Sequence, residues 1–352
     1  MNRKTVQKTL IIIPILALLF ALPVLSPNLY WLSIWIYLAI NVLLVASLYM
    51  ISTIGHYSMG HVGFMLIGAY TSGLLAIKLG LSFWATLIIA GLFPAIVALV
   101  LGYPFLKVKG VYFAILTLLT AETFRVLAYQ WKSLTGGPLG LINIPPPSPI
   151  TIPWVGTIGF DTMSNYYYLT LLVVLISLLI LYKLKNSELG SRWLSIKSND
   201  VLAESVGMPT MGFKIANFAI ACFFAGIAGA LYAHFQSSLS ADVSSRFGAV
   251  SSMYLVLYMV VGGESRFVGP IIGTIVLMLI NEFARPLQEY RTILIGAIVI
   301  LIILFMPEGM VGLFDRLKTG IRIPFSREKT KKPAIEQNSV PGNSPDDAGS
   351  VS

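Results

Sequence analysis

Few side chains in this sequence could do acid–base, metal or nucleophilic chemistry. Glu122 and Arg125 stand three apart in TAETFRVL, which places them on one face of a helix. A charge at bilayer depth costs about 2.5–3.5 kcal/mol on insertion scales, so such a pair needs a reason to be there. It is either a working pair, gating or coupling protons, or a mutually neutralised clip that orients its helix. The clip is the favoured reading, because a coupling carboxylate is seldom locked to an arginine at short range. His56, His61, His234 and the single Cys222 are too few and too scattered for an internal disulfide or a Cys-based zinc site. No G-x-x-x-x-G-K-[ST], H-E-x-x-H or G-x-S-x-G string occurs, so neither a P-loop nucleotide site nor an enzyme is expected, and no metal ligands are assigned.

The second chemical signal is backbone. Gly55, Gly60, Gly63 and Gly68 punctuate one apolar stretch, Gly262, Gly263, Gly269 and Gly273 another, and Gly226 and Gly229 sit in AGIAGALYA. Small residues let membrane helices approach closely. A broken membrane helix is tolerated only where its backbone is buried or lines a cavity, often a solute path. Close packing is expected at Gly226 and Gly229. At 54–64, where Tyr57, Ser58, Gly60 and His61 cluster, close packing and path-lining both stand.

The elements that must position these residues are membrane helices. Of 352 residues, 56% are hydrophobic and 11% charged, against about 45–50% and 25% in soluble domains. Too few charges remain to cover a soluble surface. Apolar stretches at or near the length that crosses a bilayer, about 17–25 residues, fall at 9–25, 31–51, 59–77, 82–104, 111–128, 165–182, 215–235, 247–262, 267–284 and 292–306. The fold class is therefore all-α, a polytopic membrane helix bundle of about ten spans. The glycine-rich stretches at 54–64 and 262–270 mark the third and ninth spans as broken or re-entrant. The first span follows Arg3, Lys4 and Lys8, lacks an A-x-A-like site and precedes Pro23 and Pro27, so it reads as an uncleaved helix.

The net charge of +9 is a topology signal rather than a nucleic-acid footprint. With the N-terminus inside, 18 Lys and Arg fall on inner segments and five (Lys78, Lys132, Arg246, Arg285, Arg291) on outer ones. That asymmetry places both termini in the cytoplasm of a cell (inner or plasma) membrane protein. Residues 129–164, with TGGPLGL and IPPPSPITIP, are too rich in proline for a helix and read as a stiff outer cap. The organisation expected is an N-terminal span and short outer turn at 1–30, a transmembrane domain at 31–314 with a cytoplasmic loop at 183–214, and a polar, disordered cytoplasmic tail at 315–352.

Within the cytoplasmic loop, SNDVLAESVGMPTMGFKIANF suits a short amphipathic helix with Asp200 near its start, ended by Gly207 and Pro209. Here the chain resembles the permease subunits of branched-chain amino-acid ABC importers, the LivM/LivH family, and its LivM-like branch in particular. The stretches that carry the resemblance are HYSMGHVGFMLIGAYTSGLL (56–75), YFAILTLLTAETFRVLA (112–128) and SLTGGPLGLINIP (133–145). LGSRWLSIKSNDVLAESVGMPTMGFKIANFAIACFFAGIAGALYAH (189–234), MVVGGESRFVGPIIGTI (259–275) and LFMPEGMVGLF (304–314) follow in order. Two positions depart from the pattern: Met59 stands where leucine is usual, and Glu264 where small residues are common.

The resemblance implies a second related permease subunit, two cytoplasmic ATPase subunits that bind ATP and Mg, and an extracytoplasmic substrate-binding protein. It implies no cofactor on this chain and makes Asp200, Ala203, Glu204 and Gly207 part of the ATPase-contacting loop. The expected solute path takes in Tyr57, Ser58, Gly60 and His61, with Thr135, Gly136 and Gly137 near the outer mouth. The function so implied is the translocation subunit of an importer for branched-chain or related amino acids. The competing reading is a stand-alone secondary transporter or channel for a small polar solute such as urea, which broken spans alone would suit equally well.

Overall fold

The computed structural model describes residue 14, residues 17–24, 28–152, 156–288, 290–306 and 309–312. The expected first span at 9–25 lies only partly within them, and the tail at 315–352 lies outside. Among the described residues, six long apolar helices form the body: α1 (Leu29–Ser52), α2 (His61–Leu79), α3 (Phe83–Leu106), α4 (Val111–Gln130), α5 (Met163–Lys185) and α8 (Thr210–Gln236). Between α5 and α8 run α6 (Glu188–Ser198) and α7 (Asp200–Ser205); three shorter apolar helices, α9 (Ala249–Gly262), α10 (Val268–Phe283) and α11 (Tyr290–Phe305), close the order. Length and apolar composition make this a multi-pass membrane protein.

Sequence sets the helix limits. Asn28 caps α1 by accepting from Tyr30 N–H at 3.0 Å. α2 ends on Gly80 in the left-handed region. Residues 17–24 are helical and lie along α5, where the Tyr167 hydroxyl donates to the Leu19 carbonyl at 2.9 Å.

α8 is central, packed against α3, α2 and α1, and α1 and α8 are buried over most of their length while α3, α4 and α5 expose apolar faces. Close approach depends on glycine. A Cβ on Gly226 would lie 2.0 Å from the Ala90 carbonyl oxygen, and one on Gly229 2.1 Å from that of Met65. The AGIAGALYA glycines are thus helix contacts, as their spacing suggests. The pair α9 and α10 is joined the same way: a Cβ on Gly262 would meet Gly269 O at 2.0 Å, and one on Gly273 would meet Tyr258 O at 2.1 Å.

Two details differ from the sequence reading. The proline-rich cap carries a small antiparallel hairpin, β1 (Ile150–Ile152) and β2 (Gly156–Ile158), with Ile150 opposite Ile158. ITI lies between Pro149 and Pro153, and its three β-branched residues keep their backbone N–H groups and are free to pair. The 183–214 loop also holds two short helices where one was expected, because Asn199 is extended (φ −159°) and its side chain accepts from Leu202 N–H, starting a new helix.

Candidate functional site

The break before α2 is the feature on which the rest is built. After α1 the chain turns at Gly55 (φ +78°) and runs without helix to Gly60. Gly60 lies against α4, where a Cβ would fall 1.9 Å from the Thr117 carbonyl oxygen, and Met59 N–H donates to Thr117 Oγ1 at 3.1 Å. His61, the first residue of α2, meets Ser47 Oγ through Nε2 at 2.7 Å. Thr117 and Ser47 lie roughly 7–9 Å inside their own helices from that end, at about 1.5 Å per residue. The α2 N-terminus is therefore sunk within the bundle.

Around this entry lies the lysine-rich end. The Tyr57 hydroxyl donates to Glu264 Oε2 at 2.8 Å, and Lys197 Nζ meets the same oxygen at 3.4 Å. One carboxylate thereby ties the α1–α2 break to the α9–α10 turn and to α6. A cavity of about 510 Å³ lies between them, bounded by Tyr49, Lys185, Leu194, Lys197 and Glu264. Ser58 and His61 are buried within the chain, whereas Tyr57 is partly exposed beside the cavity.

α6 is fastened to α8: the Trp193 ring is buried, and its Nε1–H donates to the Phe213 carbonyl at 3.0 Å. α7 follows, with Ala203 buried beneath it. Asp200 accepts from Lys214 at 2.7 Å and Lys109 at 3.0 Å. Burial pushes its carboxyl pKa upward, but hydrogen bonds from the two lysines outweigh this and hold it below its ordinary value. Glu204 is exposed, as are Val201, Leu202 and Val206. Gly207 closes the helix at φ +85°, its N–H donating to Glu204 O at 2.9 Å, and a Cβ there would meet nothing within 4 Å.

At the opposite end, Thr135, Gly136 and Gly137 form a tight turn. Thr135 Oγ1 donates to the Ala128 and Trp131 carbonyls at 2.5 and 2.7 Å, with Gly136 at φ +79° and Gly137 at φ +60°. The chain then pairs with the segment after α8 through Leu141 and Leu239. Arg125 reaches the same segment: it holds Glu122 Oε1 at 2.5 Å and donates to the Ala241 carbonyl at 2.7 Å. The pair clips α4 to that loop.

A second cavity, of about 190 Å³, opens at this end and descends between α1, α8, α9 and α10 to Val62 in the first turn of α2. Asn41, Tyr232, Arg246, Tyr254, Tyr258 and Asn281 supply its polar and aromatic groups. None of these was selected from the sequence. Asn41 and Asn281 interrupt apolar runs and were legible as polar residues at bilayer depth, but Arg246 counted only as a loop charge.

The long apolar helices, the buried helix start sunk into the bundle and the cavities at its two ends define a polytopic, all-helical membrane protein. A family model described as "Branched-chain amino acid transport system / permease component" matches residues 30–303, and the chain belongs to that family. It is 32% identical over 282 residues to the "High-affinity branched-chain amino acid transport system permease protein LivM" of Escherichia coli (strain K12). It is 31% identical, over the same length, to the protein of that name from Salmonella typhimurium (strain LT2). Each match covers 74% of this chain and 66% of the relative, so the chain spans just under two thirds of the relatives' length. No solved structure matches it.

Proposed function

We propose that this chain is the membrane-spanning translocation subunit of an ATP-binding-cassette importer for branched-chain amino acids. The family match supports this reading, and one structural observation carries it: α7 presents Val201, Leu202, Val206 and Glu204 to solvent at the lysine-rich end of the bundle. Four neighbouring exposed side chains, three of them apolar, on a short helix rigidly joined to α6 and α8 suit a groove on a cytoplasmic ATPase. In this reading the lysine-rich end is cytoplasmic, both termini lie there, and the helices make ten crossings. Residues 1–30 supply the first span with its outer turn, 31–314 the permease domain, and 183–214 the coupling loop containing Asp200, Ala203, Glu204 and Gly207.

ATP and Mg belong to two ATPase subunits; a second, related permease completes the membrane core, and an extracytoplasmic binding protein delivers the solute. The path enters beside the Thr135–Gly137 turn, which braces the outer mouth, and leaves past Gly60, His61, Ser58 and Tyr57. ATPase closure moves α7 and with it α6, and Lys197 transmits the movement to Glu264 and Tyr57 at the inner end.

The test is reconstitution. The full set of subunits is expected to take up L-leucine in proteoliposomes only with ATP and the binding protein, and the chain alone is expected to transport nothing. Uptake driven by an ion gradient in vesicles holding this chain alone would overturn the reading in favour of a secondary transporter.

A further inference from the structure

The cavity at the end opposite the lysine-rich loops has a chemistry of its own. Among the described residues that line it, Arg246 is the one side chain with a full charge, and none is an aspartate or glutamate. The guanidinium lies 4.2 Å above the Tyr37 ring, a geometry that holds the plane by cation–π attraction while leaving its N–H groups available. Tyr37 is itself fixed, its hydroxyl donating to Gln236 and its ring packing edge-on to Phe235 at 4.9 Å. Below the arginine, Tyr254, Tyr258, Asn41 and Asn281 offer hydrogen-bonding groups, and the floor is apolar, made by Ile40, Leu44, Val62, Met65 and Leu255. Asn281 accepts from Arg291 Nε at 2.5 Å, which orients its amide and brings a second guanidinium behind the wall.

We infer that this cavity is a solute-docking site of the chain, in which Arg246 holds the carboxylate of a small zwitterion whose apolar side chain settles on the floor. The inference rests on the importer reading and narrows it. A site whose only formal charge is a guanidinium discriminates an amino acid from its neutral amide or from urea, because only the carboxylate can accept a charge-assisted, bidentate pair of hydrogen bonds. Asn41 and the tyrosine hydroxyls then receive the ammonium. The volume holds several waters or one small solute, and excludes a peptide.

The experiment uses Ser251→Cys in the complete complex; the native Cys222 is fully buried and stays silent. Thiol reagents of opposite charge, a sulfonate and a quaternary ammonium, are added from the outer side. The sulfonate is expected to react faster at residue 251. Arg246→Gln should shift the ratio of the two rates roughly tenfold towards the cation, as removal of one unit charge a few ångströms away requires, and Arg246→Lys should keep the anionic preference. L-Leucine should protect the site and L-leucinamide should not, with protection lost in Arg246→Gln. ATP-driven leucine uptake is scored in parallel in vesicles that hold the unsubstituted complex. Absence of uptake there overturns the importer reading. Uptake together with labelling that ignores both reagent charge and leucine overturns the docking site while leaving that reading intact.

Discussion

Lys214 is almost wholly buried, and its ammonium meets the Asp200 carboxylate at 2.7 Å, with Lys109 adding a more exposed contact. Asp200→Asn should therefore destabilise the protein by roughly 2 kcal/mol, less than the ~3–5 of a fully buried pair because Asp200 keeps some solvent contact. A carboxyl held below its ordinary value of 3.8 adds stability that is complete above that value and lost as pH falls through the lower folded value. Thermal melts in detergent should show extra acid lability below about pH 4 that Asp200→Asn removes; an unchanged acid limb would contradict the pairing. At Gly207 the left-handed backbone, rather than crowding, sets the demand. Gly207→Val should cost about 1–2 kcal/mol through φ alone, and Gly207→Asn far less, since asparagine visits that region. Glu204→Ala removes only a solvated carboxylate, worth about 0–1 kcal/mol. Leucine uptake should thus fall most in Gly207→Val and least in Glu204→Ala, with subunit assembly followed by pull-down. Normal coupled uptake in both would reduce α7 to a linker.

Elements in this bundle meet through backbone, so small residues set how near two helices come. Gly226 lies with its Cα hydrogens against the Ala90 carbonyl and within 2.4 Å of where a Gly68 Cβ would be. Gly226→Val must push α3 and α8 apart, an overpacking that costs about 1–3 kcal/mol or more. Gly212, in the first turn of the same helix, has open space around it. Gly212→Ala should be neutral or gain up to ~1 kcal/mol from helix propensity. Melting temperatures of the two purified variants check the contrast, and equal effects would mean helix propensity rather than contact governs both. The joint at Glu264 belongs to this scale as well, since it links three elements. Glu264→Ala should leave ATP hydrolysis in the complex within about twofold while uptake falls severalfold, because two lost hydrogen bonds of ~1–3 kcal/mol each loosen the inner end. Parallel loss of both activities would point to misassembly instead.

For the whole molecule, the lysine distribution predicts the orientation in the membrane. Leu139 and Val201 are highly exposed at opposite ends of the bundle. In intact cells a membrane-impermeant thiol reagent should modify Leu139→Cys, and Val201→Cys should react only after permeabilisation. The reverse pattern would invert the topology and remove α7 from the ATPase side.

The apolar runs alone located α1 to α5 and α8 to α11 to within a few residues, since a segment in lipid must satisfy its backbone internally and cannot trade one element type for another. Family membership was equally legible, in ordered motifs such as TGGPLGL and DVLAESVGMP, and so was the helix-ending role of Gly207, which needs only local backbone chemistry. The clip between Glu122 and Arg125 followed from their spacing, but its anchor at the Ala241 carbonyl did not. Contacts made at long sequence separation had no local signature. Tyr57, Lys197 and Glu264 converge from three segments, and Asn41, Arg246 and Asn281 from three others. Glu264 stood out in the sequence as a carboxylate among glycines, yet its partners were decided only when α9 and α10 packed through Gly262 and Gly273. Hydrophobic periodicity records which segments leave water; which polar groups then face one another depends on how closely the helices pack, and that distance is set by the tertiary structure.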